Sequence, residues 1–170
     1  YDFHGTWETT TNHQAQLFSP RHDPDPARFS LELAVGTLLQ RGAPAPQIVI
    51  GIPYYGRGWT GVAPANKGLY QSSSGPAAGT WEAGVEDYKV LKTKPGARYR
   101  DLAHGANWLY DGTNWWSYDD SVTVAAKALY VRLRGLGGTM VWSLDADDAT
   151  GSLTTAIHRA NIILRRVRSM

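Results

Sequence analysis

Cysteine is absent from the 170 residues. Disulfides and thiol catalysis are thereby excluded, but the compartment stays open, because many secreted proteins of bacterial type also lack cysteine. No apolar run approaches the roughly 18 residues of a membrane span, and no leader peptide is visible. Neither feature suggests a membrane partner. Charge of one sign is also missing: 17 basic against 15 acidic residues leave a net charge of +2. The one basic cluster, Arg165, Arg166 and Arg168, lies at the C-terminal end, where positive charge suits a helix terminus. Nucleic-acid binding needs basic residues massed on one face, so no nucleic-acid partner is expected. His4, His13, His22, His104 and His158 show no ligand spacing, and the run Asp145, Asp147, Asp148 lacks the Gly and distal Glu of a hand-type calcium loop. No metal or other cofactor is expected. Among aromatics Phe is scarce, with three against seven Trp and nine Tyr. Rings with polar edges in such excess suit flat, polar-edged ligands such as sugars.

The chain organises itself around β/α units. Tyr1-Asp2-Phe3-His4-Gly5-Thr6-Trp7 reads as the end of a buried strand whose beginning has been cut away, with ionisable groups emerging at its tip. Residues 6–25 are polar and without period, and read as a long loop over the top of a strand. From Ser30 onward Leu31, Ala34, Val35, Leu38 and Leu39 recur at helical spacing, and Gly42 supplies a stop. Residues 47–53 form a continuous apolar run of the kind expected of a parallel strand buried on both faces. Residues 61–116 change texture to Gly, Pro and Ser clusters between short aromatic segments, an inserted antiparallel lobe. Its candidate strands lie at 79–81, 99–102, 107–110 and 115–118, the last two joined by the hairpin signal Asp111-Gly112, with a short helix at 85–91.

The β/α pattern resumes at Asp119-Asp120-Ser121, an N-cap region. Val124, Ala125, Ala128, Leu129 and Leu133 follow on one face, and Gly135 is the stop. Residues 138–144 read as another buried strand, and Leu153, Ala156, Ile157, Ala160, Ile163, Leu164 and Val167 stripe a final helix. Three strands and three helices interrupted by one lobe amount to nearly half of a β/α barrel. Because a full barrel takes roughly 250 residues, that reading implies a fragment. The resulting division is 1–60, 61–116 and 117–170.

Three strand tips then converge on one face. Tyr54-Tyr55-Gly56-Arg57-Gly58-Trp59 follows a strand, so its aromatics and cation emerge beside Tyr1-Asp2. Trp142 sits in the last strand among Val and Leu. It reads equally as core or as the floor of a sugar pocket, since barrel interiors favour branched aliphatics.

Four ordered motifs carry a resemblance: Tyr-Asp-Phe-His-Gly-x-Trp from Tyr1, Gly-Ile-Pro-Tyr-Tyr-Gly-Arg-Gly-Trp-Thr-Gly-Val from Gly51, Gly-Pro-x-x-Gly-Thr-Trp-Glu-x-Gly-x-x-Asp-Tyr from Gly75, and Gly-Gly-Thr-Met-Val-Trp-Ser-Leu-Asp-Ala-Asp-Asp from Gly137. The chain resembles the C-terminal part of family-18 chitinases of the bacterial type that carries a chitinase insertion domain. The resemblance implies an α/β fold, a partial TIM (β/α)8 barrel of units six to eight with an inserted α+β domain at 61–116. It implies hydrolysis of β-1,4-linked N-acetylglucosamine polymers with retention, using the substrate's own acetamido oxygen as nucleophile. Tyr1 and Asp2 are then expected to be catalytic, Tyr1 through a phenol hydrogen bond and Asp2 through the sugar. Trp142 is expected to floor the site, Tyr55 and Arg57 to contact the acetamido group and its neighbours, Trp81 and Glu82 to wall the cleft from the lobe, and Trp7 to form a platform on the leaving-group side. Chitin or chitooligosaccharides are the implied partner, with a secreted, monomeric parent.

The proton donor is the departure. The family's Asp-x-x-Asp-x-Asp-x-Glu motif has no counterpart in these residues, and Glu82, on the lobe, is no substitute. Ser143 departs in a lesser way from relatives with Glu after the Trp. The expected function is therefore that of a chitinase fragment inactive alone, with a chitin-binding, chitinase-like lectin as the alternative.

Overall fold

The computed structural model describes residues 1–167, with side chains through Ile162. Two sheets organise it. The smaller is a parallel pair, β1 (Val49–Pro53) against β8 (Gly138–Trp142), in a register running from Val49 opposite Gly138 to Pro53 opposite Trp142. The larger is antiparallel and holds β2 (Tyr55–Thr60), β3 (Gly75–Pro76), β4 (Val85–Asp87), β5 (Ala97–Asp101), β6 (Ala106–Tyr110) and β7 (Trp115–Ser117), ordered β3-β2-β7-β6-β5 with β4 also on β2. Among the described residues there are four α-helices: α1 (Leu31–Gln40), α2 (Tyr88–Leu91), α3 (Ser121–Leu133) and α4 (Ser152–Val167).

Local chemistry explains the helix ends. Ser30 accepts the Leu33 N–H at 3.2 Å to start α1, and Gly42 takes φ 88 just beyond its end. Asp120 and Thr123 form a reciprocal capping box on α3, and Gly135 closes it at φ 64. Such caps are worth about 1 kcal/mol each. The acidic run also caps: the Asp147 and Asp148 carboxylates accept N–H groups of Ser152, Leu153 and Thr154 at the start of α4.

The cores are distinct. One gathers Val35, Ile50, Ile52, Val124, Ala128, Val131, Leu153 and Ile157 between helices and the parallel pair. The other is aromatic, with Trp59, Trp108, Tyr110 and Trp115 buried together in the antiparallel sheet.

Several expectations are corrected. Residues 1–7 form no strand, because Asp2 sits at φ 59 and the Phe3 N–H bonds the Gln14 carbonyl instead of a strand neighbour. The parallel sheet therefore has two strands, not three, among the described residues. It is also open on one face: Ile50 and Ile52 are buried, whereas Val49, Met140 and Trp142 alternate onto the exposed side. The 6–25 segment is no surface loop throughout, since all of residues 11–17 are buried. No strand forms at 79–81. Hydrogen bonds from Gly84 to Ala77 and from Val85 to Glu82 fold that stretch into a tight turn, and 85–91 divides into β4 and the short α2. The α3 face is rotated from expectation: Leu129 and Leu133 are exposed while Lys127 and Tyr130 are buried, because Lys127 turns inward to pair with Asp119 at 2.5 Å. The antiparallel sheet takes in Tyr55–Thr60 as β2, paired with β4 and β7. Side chains of Ile163, Leu164 and Val167 in the α4 stripe, and of Arg165, Arg166 and Arg168, lie outside the described residues.

Candidate active site

The glycine pattern of β2 builds the site. Tyr55 and Arg57 share one face of the strand, and Gly56 and Gly58 the other. A Cβ at Gly56 would lie 2.4 Å from Leu91, and one at Gly58 would lie 2.3 Å from the Trp116 ring. The strand can thus seat on the core only with glycine at both positions, and this seating turns Tyr55 and Arg57 into the cleft. Gly51 serves similarly, since a Cβ there would meet the Tyr1 ring at 2.4 Å.

Asp2 is the hub. Its carboxylate accepts from Tyr55 Oη at 2.8 Å and from Arg57 Nε and Nη2 at 3.1 and 2.7 Å. The two Arg57 bonds form a fork that matches both oxygens and fixes orientation as well as charge. Burial, then the neighbouring Asp2 charge, pushes the Tyr55 phenol far above its usual range, so it stays a donor. Burial opposes the Arg57 charge, but the Asp2 hydrogen bonds and charge outweigh it and raise the guanidinium further. Arg57 therefore remains a cation.

Aromatic rings surround this triad. Tyr1 meets Tyr55 edge to face at 6.1 Å between centroids. The Arg57 guanidinium lies 5.1 Å from the centre of the Trp7 ring. Trp142, Trp81, Glu82, Tyr55 and Arg57 line one cavity of about 450 Å³ with Val85, Asp87, Ser143, Asp145 and Ala146. Trp142 is 62 % exposed and Trp81 69 %, and two large apolar rings open to one cavity are the kind of patch that marks a binding surface. Glu82 Oε1 comes within 3.9 Å of Arg57 Nη1. Trp7 also borders a second cavity, of about 440 Å³, with His4, Glu8, Asn12 and Asp25.

All eight residues singled out from the sequence thus lie on or beside one cleft. Asp87 was not among them. It accepts the Trp81 indole N–H at 3.1 Å and pairs with Lys89 at 3.1 Å, fixing the Trp81 edge. Its signal was present as the Asp of the Asp-Tyr ending the third motif. Among the described residues no group of three or more His, Cys, Asp or Glu is arranged to hold a metal.

The model of Glycosyl hydrolases family 18 matches residues 1–147. The chain belongs to this family. It is 41 % identical over 160 residues to Chitinase 63 of Streptomyces plicatus, covering 92 % of the chain and 25 % of that protein. Among solved structures, the catalytic domain of the psychrophilic chitinase B of Arthrobacter TAD20 superposes with a TM-score of 0.86 at 42 % identity, over 94 % of the chain and 37 % of that structure. Human YKL-39, described as a pseudo-chitinase with retained chitooligosaccharide binding, superposes at 0.85 with 31 % identity, over 94 % of the chain and 48 % of that structure. This family-18 chain therefore spans about a quarter of the length of its curated relative.

Proposed function

We propose that the cleft holds an N-acetylglucosamine unit of chitin and serves its substrate-assisted hydrolysis. The observation that carries this is the Asp2 carboxylate, forked on Arg57 and hydrogen-bonded by Tyr55, with both of those partners lining one cavity beside the exposed indoles of Trp142 and Trp81. Indole faces suit the apolar face of a pyranose, and the polar fork suits its hydroxyl and acetamido groups. On this proposal the acetamido oxygen attacks the anomeric carbon, the glycosidic oxygen leaves with a proton, and a cyclic oxazolinium ion forms that water later opens. Tyr1 donates a hydrogen bond to the acetamido group, Asp2 steadies the developing positive charge, Trp142 floors the sugar, and Tyr55 and Arg57 hold the neighbouring groups. Trp81 and Glu82 wall the cleft and Trp7 carries the leaving-group side. On this reading the parallel pair supplies the strands of barrel units seven and eight, residues 1–7 and α1 belong to unit six, and the antiparallel lobe is inserted among them.

The proton donor is assigned to residues other than these, because the acidic motif of the family has no counterpart in the sequence. A polymer substrate too large to enter a cell accords with an extracellular place of action. Among the described residues, no helix is long and apolar enough to cross a membrane.

The test is calorimetric titration of the chain with chitotetraose. Binding without release of reducing ends is expected, and Asp2→Ala should weaken it by about tenfold or more, the scale of a hydrogen bond to a charged group. Equal affinity of wild type and Asp2→Ala would remove Asp2 from the sugar site, and turnover by the chain would refute the assignment of the acid elsewhere.

A further inference from the structure

Residues 11–17 are buried, five of them polar (Thr11, Asn12, His13, Gln14 and Gln16), and none of the sugar-contact roles above uses them. Gln14 stands out because its hydrogen bonds reach every segment that carries the Asp2 triad. Its carbonyl accepts the Phe3 N–H at 2.8 Å, directly after Asp2 in the chain. Its side-chain amide donates to the Tyr55 carbonyl at 2.7 Å and to the Ser117 carbonyl at 3.3 Å. Its own N–H donates to Ser117 Oγ at 3.0 Å. Ser117 lies opposite Arg57 in the terminal pair of the β2–β7 ladder, so one residue ties together the backbones beneath Asp2, Tyr55 and Arg57.

The amide orientation follows from its partners. Two carbonyls face the same side-chain atom, which must therefore be the nitrogen, since the oxygen would be repelled by both. At 1 % exposure Gln14 cannot touch a ligand in the cleft. Its leverage comes from the demands of the fork. Two parallel bonds between a guanidinium and a carboxylate tolerate little displacement, and Asp2 lies on a strandless segment at φ 59 while Arg57 lies within a sheet. Gln14 is hydrogen-bonded to Phe3 on the first segment and to Tyr55 and Ser117 in the sheet.

We infer that Gln14 is a positioning residue that holds Asp2 in register with Tyr55 and Arg57, and so acts on sugar binding through those side chains. The effect on sugar rests on the function proposed above; the effect on the Asp2–Arg57 fork does not.

The test uses Gln14→Met, which keeps the length of the side chain but removes both amide donors. Two readouts are taken: chitotetraose affinity, and the Arg57 Nε–H resonance in a proton–nitrogen spectrum, assigned by its loss in Arg57→Lys. The expected result is a Kd raised about tenfold together with an Arg57 resonance shifted toward that of free arginine. Ser117→Ala removes the hydroxyl acceptor alone. It should move both readouts the same way by a smaller step, about threefold in Kd, and it decides the matter if Gln14→Met does not fold. An unmoved Arg57 resonance with affinity unchanged, even at a lowered Tm, would reduce Gln14 to a structural role and overturn the inference. If wild type binds no chitotetraose, the sugar function fails while the Arg57 resonance still decides whether Gln14 sets the fork.

Discussion

The two sheets differ in what they leave uncovered. The antiparallel sheet closes a core of its own, with Trp59 and Trp115 fully buried at 5.5 Å between ring centroids and with the Tyr110 hydroxyl bonded to the Val62 carbonyl at 2.6 Å. The parallel pair buries one face against helices and turns Val49, Met140 and Trp142 outward. Identical residue types therefore have opposite meanings. Trp115 is core, whereas Trp142, of the same chemistry, lines a cavity with charged groups. Composition cannot separate the two; the sheet face on which each ring lands does.

The aromatic core is the costlier of the two regions to disturb. Trp115→Ala should cost about 3–5 kcal/mol, the range for truncating a fully buried large ring, read by urea denaturation. A loss below about 1 kcal/mol would mean that the lobe has no independent core.

Next in size is a pH effect. His13 packs against both the Trp108 and Trp115 rings, at 5.3 and 5.7 Å, and burial lowers its pKa to about 4 from an ordinary 6.5. Between those values the unfolded chain binds a proton that the folded chain does not. The stability contributed by neutral His13 is thus complete above pH 6.5 and is lost as the pH falls toward 4, on the order of 3 kcal/mol. His13→Phe should flatten that slope in denaturation curves measured across the window; an unchanged slope would assign it to other groups.

The smallest effect sharpens the contrast from the other side. Met140→Ala, on the open face, should cost about 1 kcal/mol or less. A loss as large as that at Trp115 would show that the face is covered.

What was legible in the sequence was mostly local. Ser30 and Gly42 bracket α1, Asp120 caps α3, and Asp111-Gly112 turns β6 into β7, because each acts on backbone groups within a few residues of itself. The cleft residues were legible for another reason: ordered motifs carry a resemblance that periodicity lacks. The failures share a cause in partners distant along the chain. Leu129 and Leu133 read as the buried face of α3 until Asp119 draws Lys127 inward, and residues 11–17 read as loop until the Tyr55 and Ser117 carbonyls accept from the Gln14 amide. Asp2 reads as strand because nothing local announces φ 59.

On the proposed function the exposed indoles of the cleft meet sugar while the buried indoles of the antiparallel sheet do not, and the seven tryptophans report this through their indole N–H resonances. On adding chitotetraose the signals of Trp142 and Trp81 should shift, while those of Trp59, Trp108 and Trp115 stay in place. Still signals at Trp142 and Trp81, with the sugar bound and the lobe signals moving, would contradict it.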